Sequence, residues 1–149
     1  MDLLDQTVAG GDASGDTIAN FENAIGSDLD DFILGNDQNN RLSGGGGLDF
    51  IIGGHGNDVL TGGAGADNFA FDTGDGHDTI TDFTAGVDSS ETITFLLGAA
   101  FSTFSEIMAV AHATGASQQS TVFQFDSQTS LTLQNVKPAQ LTANNFEFV

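Results

Sequence analysis

Aspartates that recur every nine residues are the part of this sequence that could do chemistry. Three consecutive nonads begin at Gly44, Gly53 and Gly62, and the sixth position of each is an aspartate. The positions before each aspartate are rich in glycine, which permits positive φ and lets carbonyl oxygens converge. Such carbonyls and one carboxylate per turn suit Ca²⁺, which takes about six to eight oxygen ligands. The spacing therefore predicts calcium sites.

Looser copies of the nonad extend the pattern on both sides. Two precede in the same register, from Gly26 and Gly35, a sixth copy at 73–81 follows a two-residue slip, and a more degenerate one begins at Gly11. The sixth positions are Asp31, Asn40, Asp49, Asp58, Asp67 and Asp78. The eighth positions are all apolar: Ile33, Leu42, Ile51, Leu60, Phe69 and Ile80. A flexible glycine-rich linker has no reason to keep apolar residues in register, so the pattern favours a folded repeat.

Each nonad predicts a turn and one short strand that points an apolar side chain inward. Two nonads complete one circuit of a coil, so turns alternate between two edges and neighbours on one edge are 18 residues apart. Edge one is expected to carry Asp31, Asp49 and Asp67. Edge two is expected to carry Asn40, Asp58 and, beyond the slip, Asp78. Strands stack about 4.8 Å apart, so these carboxylates repel one another unless cations lie between them.

Residues 26–81 resemble the RTX (repeats-in-toxin) family, whose calcium-binding repeat is Gly-Gly-x-Gly-x-Asp-x-U-x, where U is apolar. The resemblance implies a mainly all-β fold, a right-handed parallel β-roll. It also implies Ca²⁺ between successive turns of one edge, and we expect about three to five ions. The implied ligands are the sixth-position side chains and main-chain oxygens of the turns: Asp31, Asn40, Gly44, Gly45, Gly46, Gly47, Asp49, Gly53, Gly54, His55, Gly56, Asp58, Gly62, Gly63, Ala64, Gly65, Asp67 and Asp78. The copy at Gly35 has Asn36, Gln38 and Asn40 in place of Gly, Gly and Asp, so weak binding is expected there.

The charge balance restricts the partners. Asp and Glu number 21 against two basic residues, Arg41 and Lys137, which gives a formal net charge of -19. Nucleic acid and anionic membranes are therefore poor partners. No apolar run approaches the roughly 18 residues of a membrane span, and the first residues lack the features of a signal peptide. The sequence has no cysteine, which excludes disulfides and zinc-cysteine sites.

Different segments flank the repeat. Residues 1–25 are expected to shield the open first coil, with Phe21 and Ile25 as plugs. Residues 82–149 are expected to form a small α+β cap and to contain a secretion signal. The elements predicted in this cap are a strand at 91–97, an amphipathic helix at 103–114, a hairpin from 121–125 and 131–136, a turn at Lys137 and Pro138, and a strand at 146–149.

One sheet of the roll is expected to be apolar on its outer face. The outward positions seven and nine of the edge-one nonads include Phe32, Leu34, Phe50 and Ile52. An apolar patch of this kind is normally covered, so the 103–114 helix or the C-terminal hairpin is predicted to pack on it. The alternative is a surface that binds a partner.

No catalytic motif is present in the sequence, so any catalytic domain would lie outside this chain. His55 and His77 occupy free positions of the repeat and His112 lies on the predicted helix, so all three are interpreted as solvated. A glycosidase-like pair of carboxylates is not excluded by composition, but the repeat already accounts for most of the acids.

The function predicted from the sequence is a folding and secretion module of a bacterial protein. The chain would pass a type 1 exporter unfolded, without an N-terminal signal peptide, and fold outside the cell, where calcium is abundant. The C-terminal Glu147, Phe148 and Val149 resemble the end of exported RTX proteins. Two alternatives are a calcium-stiffened adhesin or matrix-attachment segment, and an auxiliary module of an extracellular polysaccharide-modifying enzyme or a protease.

Overall fold

Two sheets of short strands form the body of the protein. The computed structural model describes residues 22–86, 90–96 and 101–149. The strands of the repeat are β1 (Asn23–Ile25), β2 (Phe32–Leu34), β3 (Arg41–Gly47), β4 (Phe50–Ile52), β5 (Val59–Gly65), β6 (Asn68–Phe71) and β7 (His77–Ile80). The elements that follow are β8 (Thr92–Phe95), α1 (Phe104–Ala109), β9 (Ala111–Thr114), β10 (Ser120–Gln124), β11 (Ser130–Leu133), two 3-10 turns (Pro138–Gln140 and Ala143–Asn145) and β12 (Phe146–Phe148).

Successive strands of the repeat alternate between the two sheets. The five-stranded sheet has the order β12-β8-β6-β4-β2, and the seven-stranded sheet has the order β1-β3-β5-β7-β11-β10-β9. All pairings within the repeat are parallel, and their register places each residue opposite its equivalent one circuit away. The chain is therefore a parallel β-roll, as the sequence predicted. Among the described residues, no helix is long and apolar enough to cross a membrane.

The eighth residues of the nonads form the core between the sheets. In the five-stranded sheet this column contains Ile33, Ile51, Phe69 and Ile93. In the seven-stranded sheet it contains Ala24, Leu42, Leu60, Ile80 and Leu133. All of these side chains are buried, and each large one stabilises the fold by about 1.5–3 kcal/mol. One inward side chain per nonad thus forms the hydrophobic core between the two sheets.

A cluster of phenylalanines closes the roll at its C-terminal end. The Phe95 ring packs against the rings of Phe71, Phe123, Phe146 and Phe148, with centroids about 6 Å apart. Because Phe95 and Phe123 belong to different sheets, these contacts seal the interior between them. Aromatic side chains therefore close this end of the core.

The predicted hairpin is confirmed, but it does not cover an outer face. Its strands β10 and β11 pair in antiparallel fashion, and β11 adds to the seven-stranded sheet in parallel with β7. Helix α1 directs Ile107 into the core and sets Phe104 against Phe146. The prediction that the helix or hairpin packs on the apolar outer face was therefore wrong. Phe32 on that face stacks on Phe50 and is 53% exposed.

Two further predictions require correction. The helix begins at the predicted cap, Thr103, whose side chain accepts a hydrogen bond from the Glu106 backbone, but it ends at Ala109. Residues 111–114 form β9 instead, because pairing with β10 satisfies their backbone groups. Ile25 is not a plug: it is 74% exposed, and its neighbour Ala24 occupies the inward position. Phe21, the copy proposed at Gly11 and residue 97 lie outside the described residues.

Candidate metal centre

On edge one, the sixth-position residues are stacked in a ladder. The backbone N–H of Asp31 donates to Asp49 Oδ1 at 2.9 Å, and that of Asp49 donates to Asp67 Oδ1 at 3.1 Å. The turns at 44–47 and 62–65 also pair in parallel register. The predicted spacing of 18 residues is therefore confirmed, and each aspartate joins its own turn to the preceding one.

Edge two repeats the same ladder. The Asn40 N–H donates to Asp58 Oδ1 at 2.7 Å, and the Asp58 N–H donates to Asp78 Oδ1 at 2.9 Å. Asp58 and Asp78 are 20 residues apart rather than 18, so the two-residue slip is absorbed before the turn at 73–78. Asp78 continues edge two as predicted.

The second carboxylate oxygen of three aspartates has no hydrogen-bond partner. These atoms are the Oδ2 atoms of Asp49, Asp58 and Asp67, and all three are buried. The three residues are only 1–2% exposed. A buried anionic oxygen without a partner is costly unless a cation compensates it. These oxygens are thus the feature of the structure that points most directly to a metal ion.

Glycine in the first position of a turn makes room for the unpaired oxygen. A Cβ atom built on Gly44 would collide with Asp49 Oδ2 and would lie 2.7 Å from the carbonyl oxygen of Gly62. Two hydrogen-bond acceptors from successive turns of edge one therefore lie beside Gly44. The equivalent pair beside Gly26 differs, because there Ser27 donates to Asp31 Oδ2. Acceptors that converge without a donor form the oxygen-rich environment that Ca²⁺ prefers. The equivalent Cβ atoms on Gly53 and Gly62 would collide with Asp58 and Asp67.

Glycine in the second and fourth positions allows the backbone to adopt positive φ. Gly45 has φ of 109° and Gly47 has φ of 114°, conformations that a residue with a Cβ atom adopts at a cost. The equivalent residues of the other glycine turns also have positive φ: Gly54, Gly56, Gly63, Gly65, Gly74 and Gly76. Glycine at these two positions thus permits the positive-φ form of the turn.

Burial raises the pKa of the edge carboxyls. Desolvation is the main cause at Asp49 and Asp67, and the hydrogen bond that each accepts from the preceding turn opposes it only in part. The same causes raise the pKa of Asp58 to about 6 and that of Asp78 to about 8. Without a cation, burial therefore disfavours the ionised form of these carboxyls. The local environment accordingly favours the binding of positive charge.

Other predicted ligands are placed differently. The carboxylate of Asp31 and the side-chain amide of Asn40 are hydrogen-bonded within their own turns. The ring of His55 is exposed, and its Nδ1 lies 3.0 Å from the carbonyl oxygen of Gly74 on the next turn of edge two. The Ala64 side chain is exposed, so only its backbone is available as a ligand. His77 Nδ1 lies 2.9 Å from Ser130 Oγ, within hydrogen-bond distance of this residue of the C-terminal cap.

Two acidic residues after the repeat were not among the predicted site residues. Asp82 accepts hydrogen bonds from the N–H groups of Gly62 and Gly63, at 3.1 and 2.9 Å. Glu91 is buried, and the register of β6 with β8 places it opposite Asp67. Glu91 therefore occupies the sixth position of a lengthened turn. The signal in the sequence was an acid two residues before a buried isoleucine, Ile93.

Within the described residues, no group of three or more His, Asp, Glu or Cys side chains is arranged to hold a metal ion. One carboxylate per turn is therefore the side-chain contribution to expect on each edge. The remaining oxygens would come from backbone carbonyls, such as that of Gly62 beside Gly44.

Comparison with known proteins agrees with this geometry. The family model of the RTX calcium-binding nonapeptide repeat (4 copies) matches residues 25–59, 34–69 and 47–80. Residues 25–80 therefore match the RTX calcium-binding repeat. No curated protein matches the chain in sequence. An RTX repeat block is a calcium-binding module and is not itself catalytic.

Solved structures were also compared with this chain, and one of them shares its fold. The extracellular lipase LipA from Serratia marcescens is similar over 91% of this chain, with a TM-score of 0.54 and 22% identity. This chain spans only 22% of the length of that lipase. The AlgE6R3 subunit of the mannuronan C5-epimerase from Azotobacter vinelandii is 26% identical over 81% of this chain and 79% of its own, with a TM-score of 0.34. The likeness to the lipase supports the fold alone.

Proposed function

We propose that the chain is a calcium-dependent folding module of a secreted bacterial protein. The module stays unfolded where calcium is scarce and folds outside the cell, where calcium binds between the turns of each edge. The observation that carries the proposal is the set of buried, unpaired Oδ2 atoms of Asp49, Asp58 and Asp67. The folded edges are complete only when cations neutralise these atoms.

The proposed ligands are the side chains of Asp49, Asp58, Asp67 and Asp78 with the carbonyl oxygens of the glycine turns. We propose about three to five ions, each bound with the affinity of extracellular calcium modules, about 10⁻⁴–10⁻³ M. Several ions that bind the folded chain but not the unfolded chain make folding steep in calcium. The net charge of -19 acts in the same direction, because self-repulsion disfavours the compact state until cations are bound.

One observation supports an extracellular site of action: the structurally similar LipA is an extracellular lipase. In our proposal the parent protein leaves the cell through a type 1 exporter, and any catalytic or adhesive activity belongs to another part of it. In the folded state, Phe148 pairs with Phe95 in the five-stranded sheet, so an exporter would read the C-terminal residues only before folding.

A calcium titration tests the proposed function. The calcium-free chain is expected to show the circular dichroism of an unfolded protein and to gain β structure cooperatively at sub-millimolar to millimolar Ca²⁺. Mg²⁺ at equal concentration is the control, and it is expected to be ineffective because it demands a tighter octahedral site. A spectrum that is already folded without calcium, and unchanged by it, would contradict the proposal.

The secretion role needs a separate test. The chain is fused to the C-terminus of a reporter in a strain with a type 1 exporter, and reporter activity is measured in the medium. Export that depends on the exporter and is lost on deletion of residues 146–149 is expected. Equal export without the chain would contradict the secretion role and leave calcium binding unaffected.

A further inference from the structure

The first two turns of the repeat use their sixth-position side chain differently from the turns that follow. In the turn at 26–31, Asp31 Oδ2 accepts hydrogen bonds from the backbone N–H of Ser27 at 2.6 Å and from Ser27 Oγ at 3.0 Å. In the turn at 35–40, Asn40 Oδ1 accepts from the Asn36 N–H at 2.8 Å, and Asn40 Nδ2 donates to Asn36 Oδ1 at 3.1 Å. Both turns are therefore satisfied by their own donors.

The glycine turns lack these donors. The equivalent oxygens of Asp49, Asp58 and Asp67 are buried without a partner, although each turn has a backbone N–H at its second position. The difference follows from the residue at that position. Gly45 has positive φ, whereas Ser27 and Asn36 do not. A side chain at the second position thus accompanies a turn whose N–H reaches its own sixth-position side chain, and glycine accompanies a turn whose N–H does not. The Gly63 N–H donates to Asp82 instead.

The fourth position reinforces the contrast. The N–H of Leu29 donates to Ser27 Oγ at 3.2 Å, and the N–H of Gln38 donates to Asn36 Oδ1 at 2.8 Å. The side chain at the second position therefore organises its whole turn, as serine and asparagine do in ordinary side-chain-stabilised turns. In the glycine turns the fourth residue has positive φ instead. These turns have no side chain that could perform this task.

On the basis of the function proposed above, we propose that the calcium ladder begins at Asp49 on edge one and at Asp58 on edge two. The turns at 26–31 and 35–40 form a metal-independent N-terminal cap, in which donors from Ser27 and Asn36 take the place of the ion. The side chains of Asp31 and Asn40 hold no calcium, although the family model matches both turns as repeats.

The cap is suited to its place in the fold. Both turns belong to the first circuit of the matched repeat, where the ladder of glycine turns ends. Polar groups at the end of a stack have a stacked partner on one side only, so terminal repeats need atypical sequences. Intra-turn hydrogen bonds satisfy the two sixth-position side chains without a cation. The number of bound ions is therefore smaller than the number of nonads.

Calcium stoichiometry of the full chain tests the cap. Native mass spectrometry or equilibrium dialysis gives the number of ions bound by the unmodified chain and by Asp31→Asn and Asp49→Asn. Asp31→Asn is expected to keep the full number and affinity, because asparagine also accepts the Ser27 hydrogen bonds. Asp49→Asn is expected to lose one ion or to bind it at least tenfold more weakly. Loss of an ion in Asp31→Asn would overturn the proposal.

A converse variant converts the cap turn into a glycine turn. Ser27→Gly with Leu29→Gly removes the Ser27 hydroxyl and permits positive φ at both positions, the conformation in which the backbone N–H of the second residue does not reach the sixth-position side chain. This variant is expected to bind one more ion than the unmodified chain and to need more calcium to fold. An unchanged ion count together with an unchanged calcium midpoint would overturn the proposal. If the unmodified chain bound no calcium at all, the function proposed above would fail instead, so the two failures are distinguishable.

Discussion

The backbone amide of Asp31 donates to the carboxylate of Asp49, 18 residues later in the chain and one circuit away in the roll. One oxygen of Asp49 thus holds the roll together, while the other is buried without a partner. The same side chain therefore serves the protein ladder and the proposed metal site. Perturbing either role should affect both folding and calcium binding.

Gly44→Ala should weaken calcium binding, because its new Cβ would collide with Asp49 Oδ2 where two acceptor oxygens converge. We expect the calcium midpoint of folding, followed by circular dichroism, to rise at least tenfold, or about 1.4 kcal/mol. Gly46→Ala in the same turn is the matched control. Its Cβ would lie 3.6 Å from the nearest atom, so its midpoint should stay near that of the unmodified chain. Equal effects of the two variants would contradict this assignment.

Stability of the calcium-free chain should rise as the pH falls from 9 to 5. The pKa of Asp58 is raised to about 6 and that of Asp78 to about 8, mainly by burial. The folded state therefore binds more protons than the unfolded state between these values and the ordinary range near 4. The cost of burying these carboxylates is fully present above the folded pKa and is relieved as they protonate.

The measurement for this prediction is the folded fraction of desalted, calcium-free protein, followed by circular dichroism across that pH range. Calcium should oppose the trend, because protons and calcium compete for the same oxygens. The stabilisation by 10 mM Ca²⁺ should therefore be larger at pH 8 than at pH 5. A calcium-free chain that loses stability steadily on acidification from pH 8 would contradict the sign.

Leu60→Ala should destabilise the roll by about 2–5 kcal/mol, because this eighth-position side chain is fully buried between the sheets. Urea unfolding at saturating calcium gives the free energy of unfolding. Val59→Ala is the control, since Val59 lies on the outer side of the same strand and is only half-buried. The control should lose less than about 1 kcal/mol. Similar losses for both variants would argue against a single inward column.

Phe95→Ala should destabilise the C-terminal end by about 3–5 kcal/mol, because the ring is fully buried among the other phenylalanines. At fixed calcium, the variant should also bind calcium less tightly, since folding and binding are coupled. Phe32→Ala serves as the control, because Phe32 is 53% exposed on the outer face. Intact calcium affinity in Phe95→Ala would show that the cap and the roll fold independently.

The repeat could be predicted from the sequence because a single rule places each of its residues. Once Asp49 and Asp67 are assigned to equivalent positions, their stacking on one edge and the burial of Ile51 and Phe69 follow from the geometry of the coil. Even the slip before Asp78 is harmless, because the turn absorbs it. Periodicity of this kind makes local and tertiary structure consistent with each other.

The parts outside the repeat could be predicted only element by element. Ala111 continues the apolar spacing of α1, but it belongs to β9 because the exposed edge of β10 is available for pairing. Ile25 is a better core residue than Ala24 by type, yet the register of β1 with β3 turns Ile25 outward. The acceptor role of Asp82 depends on a loop whose path no sequence pattern specifies. Tertiary pairing decided each of these cases.

Parallel pairing of β11 with β7 means that nonads can be inserted into the repeat only in even numbers. The cap is joined to the seven-stranded sheet, and successive nonads alternate between the sheets. Insertion of one extra nonad before β7 would therefore present the cap to the opposite sheet and exchange the two edges. Insertion of two would lengthen the roll by about 4.8 Å and restore every junction. Rolls of this design should grow by duplication of eighteen-residue units, with an unchanged cap at every length.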